Sequence, residues 1–526
     1  ALLGALAAWA AAAQEAGAEA SEPVRGRIVL VLPFDNQSGQ PSLEWVREAA
    51  AELLTSRLAS AGFAPLSRED RLYALDHLGL PEAFQPSRAS ALKLAQTLDA
   101  DSIVVGSFKT DGNEIEAEAR VVDVPHLRMS AAVKARGPLP TMIDVFGRLS
   151  WKLAQTMDPG FSGSEETFVA AGKGMRVDTF EQYVRGITAP DQAERLKHLN
   201  MAVKLSPGFG PAWMALGREE YSEQQYEQAA DAFARVERTQ PDALEAGFYR
   251  GLSLLFLGQY AKAEESFAEV ARVLPLAEVL NNEGVAISRQ NRDGSALFRR
   301  ASAADPHAAD YHFNLAVSLN RRGDTAGAMA EMAECLQLRP DDGEGQKVLN
   351  AWKNPAAAQT ANTDEEAKVD PLERIVRTFD AMAFRQAALM MDQMETARLA
   401  ALNPEERAEK LAAQAKTYLN RGLLLEAEQM YQSAVAEDGK LAVAHAGLAE
   451  VKERAGDKAA ARKEARAALA LGPSADAQLV LGRIDLSEGK LDEADAEAKE
   501  ALRLDPGSRA EQDLSRQIAA KRAAKQ

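Results

Sequence analysis

Cysteine is almost absent from these 526 residues. Cys335 stands alone, so no disulfide can close within the chain, and its place on an apolar helical register suggests a small buried hydrophobe. Histidine is nearly as sparse: His77, His126, His198, His307, His312 and His445 are scattered, without an HExxH or paired Cys/His spacing. That pattern gives no ground for a metal site. Aromatic residues reach only 6%. Positive charge is in deficit, with 61 Lys and Arg against 78 Asp and Glu, a formal net charge of -17. No basic stripe stands out to neutralise phosphates, which argues against nucleic acid as a partner. The short basic tail Lys521-Arg522-Ala523-Ala524-Lys525 falls at a helix end, where positive charge suits the dipole. Past the first residues, no stretch approaches the roughly 18 apolar residues of a membrane span.

Catalytic signatures are missing too. Gly160-Phe161-Ser162-Gly163-Ser164 has its glycines at the wrong spacing for GxSxG, and Gly172-Lys173-Gly174 lacks the upstream Gly and the Ser/Thr of a phosphate loop. Asn36-Gln37-Ser38 fits a glycosylation sequon that arises often by chance. The stretch IVLVLPFDNQSG, Ile28 to Gly39, has the form of a strand entering a loop before a helix, where α/β enzymes often hold a phosphate or a catalytic group. Yet it offers one Gly, no Lys at the helix start and no partner His. It reads as structure: Pro33 ends the strand, Phe34 anchors it, and Asn36 to Gly39 form a surface turn. No catalytic residue, cofactor or metal is expected.

Alanine is abundant, as suits close-packed helices, and the length calls for several domains. Residues 1–24 open with an apolar, Ala-rich run followed by small and acidic residues, like the back half of a secretory signal. An exported bacterial protein, periplasmic or extracellular, is the expectation. No cysteine follows the run to carry a lipid anchor.

A period of 34 organises the centre. Pro207, Pro241, Pro275, Pro306 and Pro340 are spaced by 34, 34, 31 and 34 residues. Phe233, Phe267, Phe298 and Met332 lie eight residues before a proline, and Val236, Val270, Ala301 and Cys335 five before. Gly217, Gly251 and Gly284 recur in the preceding helix. With Trp213, Leu216, Gly217, Tyr226, Ala229, Phe233 and Pro241, this pattern resembles the tetratricopeptide repeat. Small residues let two antiparallel helices approach, the aromatic fills the gap to the neighbouring unit, and proline ends each unit. A second set resumes at Gly422, Ala427, Tyr431 and Ala434, then Gly456, Ala461, Ala468 and Pro473, then Gly482, Gly489, Ala494, Ala501 and Pro506. A charged helix from Ser508 caps it.

Residues 25–157 differ in texture, with a strand near 27–32, helices near 42–61, 67 onward and 90–98, a hairpin over 101–124, a strand near 129–136 and a helix over 141–157. VLPFDNQSG, ADSIVVGSF, the Asp111-Gly112 turn and Val121-Val122-Asp123 resemble the TolB amino-terminal-like domain. Glu48-Ala49 stand where that family usually has Asp-Gly, and Val124-Pro125-His126 where it has a small-residue turn. The resemblance implies a non-catalytic interaction domain of the cell envelope.

The expected fold is mainly α: two tetratricopeptide-repeat α-solenoid arrays preceded by a small α+β domain. Its boundaries are a leader at 1–24, the α+β domain at 25–157, a linker at 158–178, array 1 at 179–352, a linker at 353–370, and at 371–526 a Met-bearing helical segment (Met382, Met390, Met391, Met394), array 2 and the cap. The repeat resemblance implies that first-helix positions line a groove: Met214, Arg218, Tyr221, Phe248, Leu252, Phe256, Asn281, Arg289, Phe313, Asn320 and Arg321 in array 1. Aromatics with interspersed Arg and Asn suit a protein or peptide partner, although Phe248 and Phe256 could instead pack between repeats. Equivalent positions of array 2 (Lys416, Asn420, Glu450, Glu453, Arg483) are more polar. The expected function is a non-enzymatic, exported scaffold. A self-assembling oligomer or filament and an accessory subunit of an envelope enzyme or transport complex are the alternatives.

Overall fold

Val29, Leu30 and Val31 are closed off from solvent on both faces, as a run of β-branched and aliphatic residues predicts for a central strand. The computed structural model describes residues 28–82, 87–236, 242–354 and 371–524. The leader, Arg27, Pro241, Lys525 and most of the 353–370 linker lie outside the described residues, as does the side chain of Met382. The chain divides into two compact units, Ala1–Gly174 with Pro404–Gln526, and Met175–Asn403.

The first unit begins with a mixed sheet of β1 (Ile28–Val31), β2 (Asp35–Asn36), β3 (Ala64–Pro65), β4 (Ser102–Asp111), β5 (Glu114–Asp123), β6 (Arg128–Met129) and β7 (Val133–Pro138). Its order is β3-β1-β4-β5-β6, with β2 also on β4 and β7 also on β5. β1 runs parallel to β3 and β4, while β4 and β5 form a hairpin paired from Ser102↔Asp123 to Asp111↔Glu114. Gly112 turns it at φ +59°, a left-handed conformation that suits glycine. The expected alternation holds: Ile115, Ala117, Ala119 and Val121 are buried.

Among the described residues, five α-helices accompany the sheet: α1 (Val46–Ser60), α2 (Arg68–His77), α3 (Arg88–Thr97), α4 (Met142–Met157) and α5 (Glu165–Ala170). Ser67 and Asp70 form a reciprocal capping box at the start of α2. One core gathers Leu30, Leu32 and Ile103 with Leu75, Leu94 and Ala95 of α2 and α3. In the other direction, Phe34 meets Phe146 of α4 edge to face at 6.0 Å. Its ring lies where a Cβ on Gly106 would come within 2.4 Å, so Gly106 makes room for it. The polar composition of 158–178 predicts a linker, but α5 folds within it and buries Phe168 completely.

The same unit continues with α18 (Pro404–Asn420), α19 (Leu424–Glu437), α20 (Ala442–Ala455), α21 (Lys458–Leu471), α22 (Ala475–Glu488), α23 (Leu491–Leu504) and α24 (Arg509–Ala523). These stack as antiparallel pairs, with α24 closing the end through Leu514 and Ile518. α5 rests on α19 and α20. There Glu428, fully buried and ion-paired with Lys452, accepts from the Ser164 backbone N–H at 3.2 Å and hydroxyl at 3.3 Å. Lys173 donates to the Ala455 carbonyl at 2.9 Å.

The second unit holds the pairs α6 (Val177–Thr188) and α7 (Gln192–Leu205), α8 (Gly210–Ser222) and α9 (Tyr226–Phe233), α10 (Ala243–Phe256) and α11 (Tyr260–Val273), α12 (Ala277–Ser288) and α13 (Ser295–Ala304), α14 (Ala309–Arg321) and α15 (Thr325–Leu338), then α16 (Gly343–Lys353). Gly217, Gly251 and Gly284 explain the close pairing: a Cβ there would come within 2.7, 2.7 and 2.8 Å of the rings of Phe233, Phe267 and Phe298. After the 353–370 stretch the chain returns to this unit as an extended segment, residues 371–380, and a final helix, α17 (Ala381–Ala400). The sequence grouped 371–403 with array 2. The structure groups it with array 1, because Ile375, Phe379, Ala383, Phe384 and Ala387 pack on the core of that array. Among the described residues, no helix is long and apolar enough to cross a membrane.

Candidate functional site

The first helices of successive pairs in array 1 share one register. Met214, Phe248, Asn281 and Asn314 each sit three residues before Gly217, Gly251, Gly284 and Val317. At the last two of these positions, and at Asn282, the side chain is an amide with no exposed surface. Buried amides need partners. The partners here are backbone groups of PLERIVRTFD, residues 371–380.

Asn314 accepts from the Arg374 N–H at 2.6 Å and donates to the Arg374 carbonyl at 2.7 Å. Asn282 repeats the arrangement two residues on, accepting from the Val376 N–H at 3.0 Å and donating to its carbonyl at 2.7 Å. Asn281 adds a bond to the Arg374 carbonyl at 3.1 Å and accepts from Asn314 at 2.8 Å. In an extended chain, residues i and i+2 turn their N–H and C=O groups the same way. The amides therefore read an extended backbone, whatever side chains it carries.

Side chains are read separately. Glu373, 3% exposed, accepts from the Ser288 hydroxyl and Arg321, while Arg289 donates to its carbonyl at 3.2 Å. Arg321 also donates to the Pro371 carbonyl at 2.8 Å. Arg374 forks onto Asp342 at 2.6 and 2.9 Å, and reaches Asp310 at 2.9 Å and Glu344 at 3.0 Å. Its guanidinium stacks 3.6 Å above the centre of the Phe313 ring. The Arg374 fork holds the Asp342 carboxyl down at about 2. Farther along, Arg377 lies 5.2 Å over Phe256, Phe379 meets Phe248 at 5.5 Å, and Glu278 accepts from the Asp380 N–H at 3.1 Å. Desolvation raises the Glu278 carboxyl above its usual range. Beyond Glu373 the groove opens into a hollow of about 530 Å³ whose lining includes Arg289, Arg292, Arg321 and Arg322.

The expected groove residues thus fall into two groups. Phe248, Phe256, Asn281, Arg289, Phe313 and Arg321 converge on the segment. The others lie elsewhere. Met214 is buried between α8 and α9, Leu252 is in the core with Phe267, and Arg218 pairs with Glu245 at 2.6 Å. Tyr221 joins an aromatic cluster with Tyr226 and Tyr249, and Asn320 lies in the last turn of α14, its carbonyl accepting from the Gly323 N–H. Asn282, Asn314, Ser288, Glu278, Asp310, Asp342 and Glu344 were not foreseen. The register of Gly217, Gly251 and Gly284 points to Asn314 once Val317 is taken as the fourth member. In array 2 the corresponding positions pair with one another, Lys416 with Glu450 at 3.3 Å and Arg483 with Glu453 at 3.8 Å.

The family described as "Tetratricopeptide repeat" matches residues 214–277, 288–343 and 446–509. The chain carries tetratricopeptide repeats. Similar solved structures include a MamA RS-1 double mutant, 19% identical, covering 35% of this chain and 99% of that one at TM-score 0.29. YrrB, titled a TPR protein with an unusual peptide-binding site, is 14% identical over 38% of this chain and 97% of its own at TM-score 0.30. The LpoB C-terminal domain from Salmonella enterica is 21% identical over 22% of this chain and 84% of its own at TM-score 0.20. No curated protein matches the chain. Along the stacked helices, amides and charges recur one repeat apart: Asn281 and Asn314 are separated by 33 residues, as are Ser288 and Arg321.

Proposed function

We propose that this protein is a non-enzymatic, exported scaffold that holds protein or peptide partners through its tetratricopeptide grooves in a bacterial cell envelope. One observation carries the binding role: Asn281, Asn282 and Asn314 are arranged to grip an extended backbone in the groove of array 1. Amide bonds to main-chain groups supply grip, and the flanking Arg, Asp and Phe side chains supply selectivity. The leader's composition supports export, and the strand, hairpin and loop motifs of residues 25–157 support a TolB-like interaction domain. In that reading IVLVLPFDNQSG serves the fold. Asn36 spends its side chain on its own loop, accepting from the Ser38 N–H at 3.0 Å and donating to the Gln40 carbonyl at 3.1 Å.

Selection of a displayed random-peptide library on the full-length protein tests the binding role. Peptides selected on the wild type, or on a variant with Arg374→Ala, should be lost when Asn282→Ala and Asn314→Ala are added. Failure of every form to select any peptide rejects the reading. Cell fractionation tests the location, and recovery with the cytoplasmic fraction rejects export.

A further inference from the structure

The groove that reads peptides already contains one. Resting on the binding role proposed above, we infer that residues 371–380 are a built-in competitor: array 1 takes a partner's extended segment of the chemistry Glu-Arg-apolar-apolar-basic-x-aromatic, and the chain's own copy must leave first.

Three features of the bound segment define that partner. The acidic position is set by Ser288, Arg289 and Arg321, which converge on Glu373 from two neighbouring first helices. The next position must be arginine. Only a planar, forked cation can lie on the Phe313 face and also meet Asp342 through two nitrogens, and a lysine would keep the charge but lose both geometries. The aromatic position is set by Phe248, whose ring packs on Phe379 at 5.5 Å. Between them, Ile375 packs on the core around Phe248 and Val376 beside Leu280 and Tyr311, so both positions are apolar. Backbone capture by Asn282 and Asn314 fixes the extended conformation and the register.

The segment is held by the same chain as the groove, so it competes at the high effective concentration of a tethered ligand. A partner's apparent affinity is reduced by the fraction of molecules with the groove open. Occupancy in cis therefore sets a threshold that only a well-matched or locally concentrated partner crosses.

The probe is a fluorescent synthetic peptide of residues 370–381, DPLERIVRTFDA, titrated into full-length protein and read by anisotropy. The triple variant Glu373→Ala, Arg374→Ala, Phe379→Ala weakens the tethered copy and leaves every groove residue in place. It should bind the probe about 10-fold or more tighter than wild type. Arg374→Lys alone, a milder change within the extended segment, should give an intermediate gain and serves if the triple variant misfolds. Adding Asn282→Ala and Asn314→Ala should abolish the gain, and a probe with its arginine after glutamate replaced by lysine should bind the opened protein at least several-fold more weakly. Equal probe affinity for wild type and both opened variants overturns the competitor. Library peptides that bind the opened protein without the Glu-Arg-apolar pattern overturn the partner chemistry while leaving the binding role standing.

Discussion

At the scale of single residues, two carboxyl groups make opposite statements about pH. Asp342 is held at about 2, chiefly by the Arg374 fork, against an ordinary aspartate value of 3.8. A depressed carboxyl contributes stability that is complete above its unfolded value and disappears as the pH falls through its folded value. Asp342→Asn should therefore cost roughly 1–2 kcal/mol near neutrality. That difference from wild type should stay flat from pH 5 to 8, shrink below about pH 4 and vanish only below about pH 2, as urea midpoints would show. Glu220 behaves in the reverse sense. Desolvation, aided by the nearby charge of Asp231, lifts it from 4.5 to about 7, and one of its oxygens is buried with no hydrogen bond among the described residues. A raised carboxyl stabilises nothing at high pH: between 4.5 and about 7 the folded state keeps a proton that the unfolded state has lost, so stability declines as the pH rises. Glu220→Gln should raise the melting temperature by roughly 2–4 °C at pH 8, for a gain of about 1 kcal/mol, and have no effect at pH 4. An equal shift at both pH values would mean that the proton is not the cause.

Within each helix pair the decisive contact is a glycine against a ring. Gly251 leaves room for Phe267, which is fully buried, and a Cβ at that position would lie 2.7 Å from the ring. Gly251→Ala should cost about 1–3 kcal/mol through overpacking, and Phe267→Leu should cost a similar amount through the void it leaves. The double substitution should cost less than the sum, because the smaller side chain yields the space that the methyl needs. Strict additivity in thermal melts would show that the two residues do not share that space. This contact also explains what could be read in advance. Glycine, aromatic and proline recur because each pair must close in the same way, so the repeats stand out from one sequence, as does the β4–β5 hairpin from its alternation and its Asp111-Gly112 turn. The groove was partly legible, since Asn281, Arg289 and Arg321 follow from the repeat register. The first-helix positions that the repeat resemblance implies include Phe313 and not its neighbour Asn314, and Val317 replaces the glycine that would mark the register there. The occupant was not legible at all. PLERIVRTFD lacks helical periodicity, and its hydrogen bonds reach as far as 102 residues back along the chain, to Glu278.

For the whole molecule, the consequence is that the unit containing array 1 ends beyond its last repeat helix. Residues 371–403 close its groove, while the chain that follows, from Pro404, belongs to the unit begun by the amino-terminal sheet. A fragment of residues 175–403 should therefore unfold in one transition and remain more stable than a fragment ending at residue 370. Without the segment, Asn281, Asn282 and Asn314 lose their backbone partners, Phe248 loses Phe379, and Ile375 and Val376 no longer pack, half-buried, against the repeats. Losses of a few kcal/mol should lower the melting temperature by roughly 5–10 °C in a unit of this size. The synthetic peptide DPLERIVRTFDA should recover part of that difference in proportion to the logarithm of its concentration, since it binds the folded state alone. The longer fragment should gain little from the same peptide, its groove being filled. If calorimetry gives equal melting temperatures for the two fragments, or an equal response to peptide, then the segment rests on array 1 without contributing to its stability, and the boundary of the unit returns to the last repeat helix.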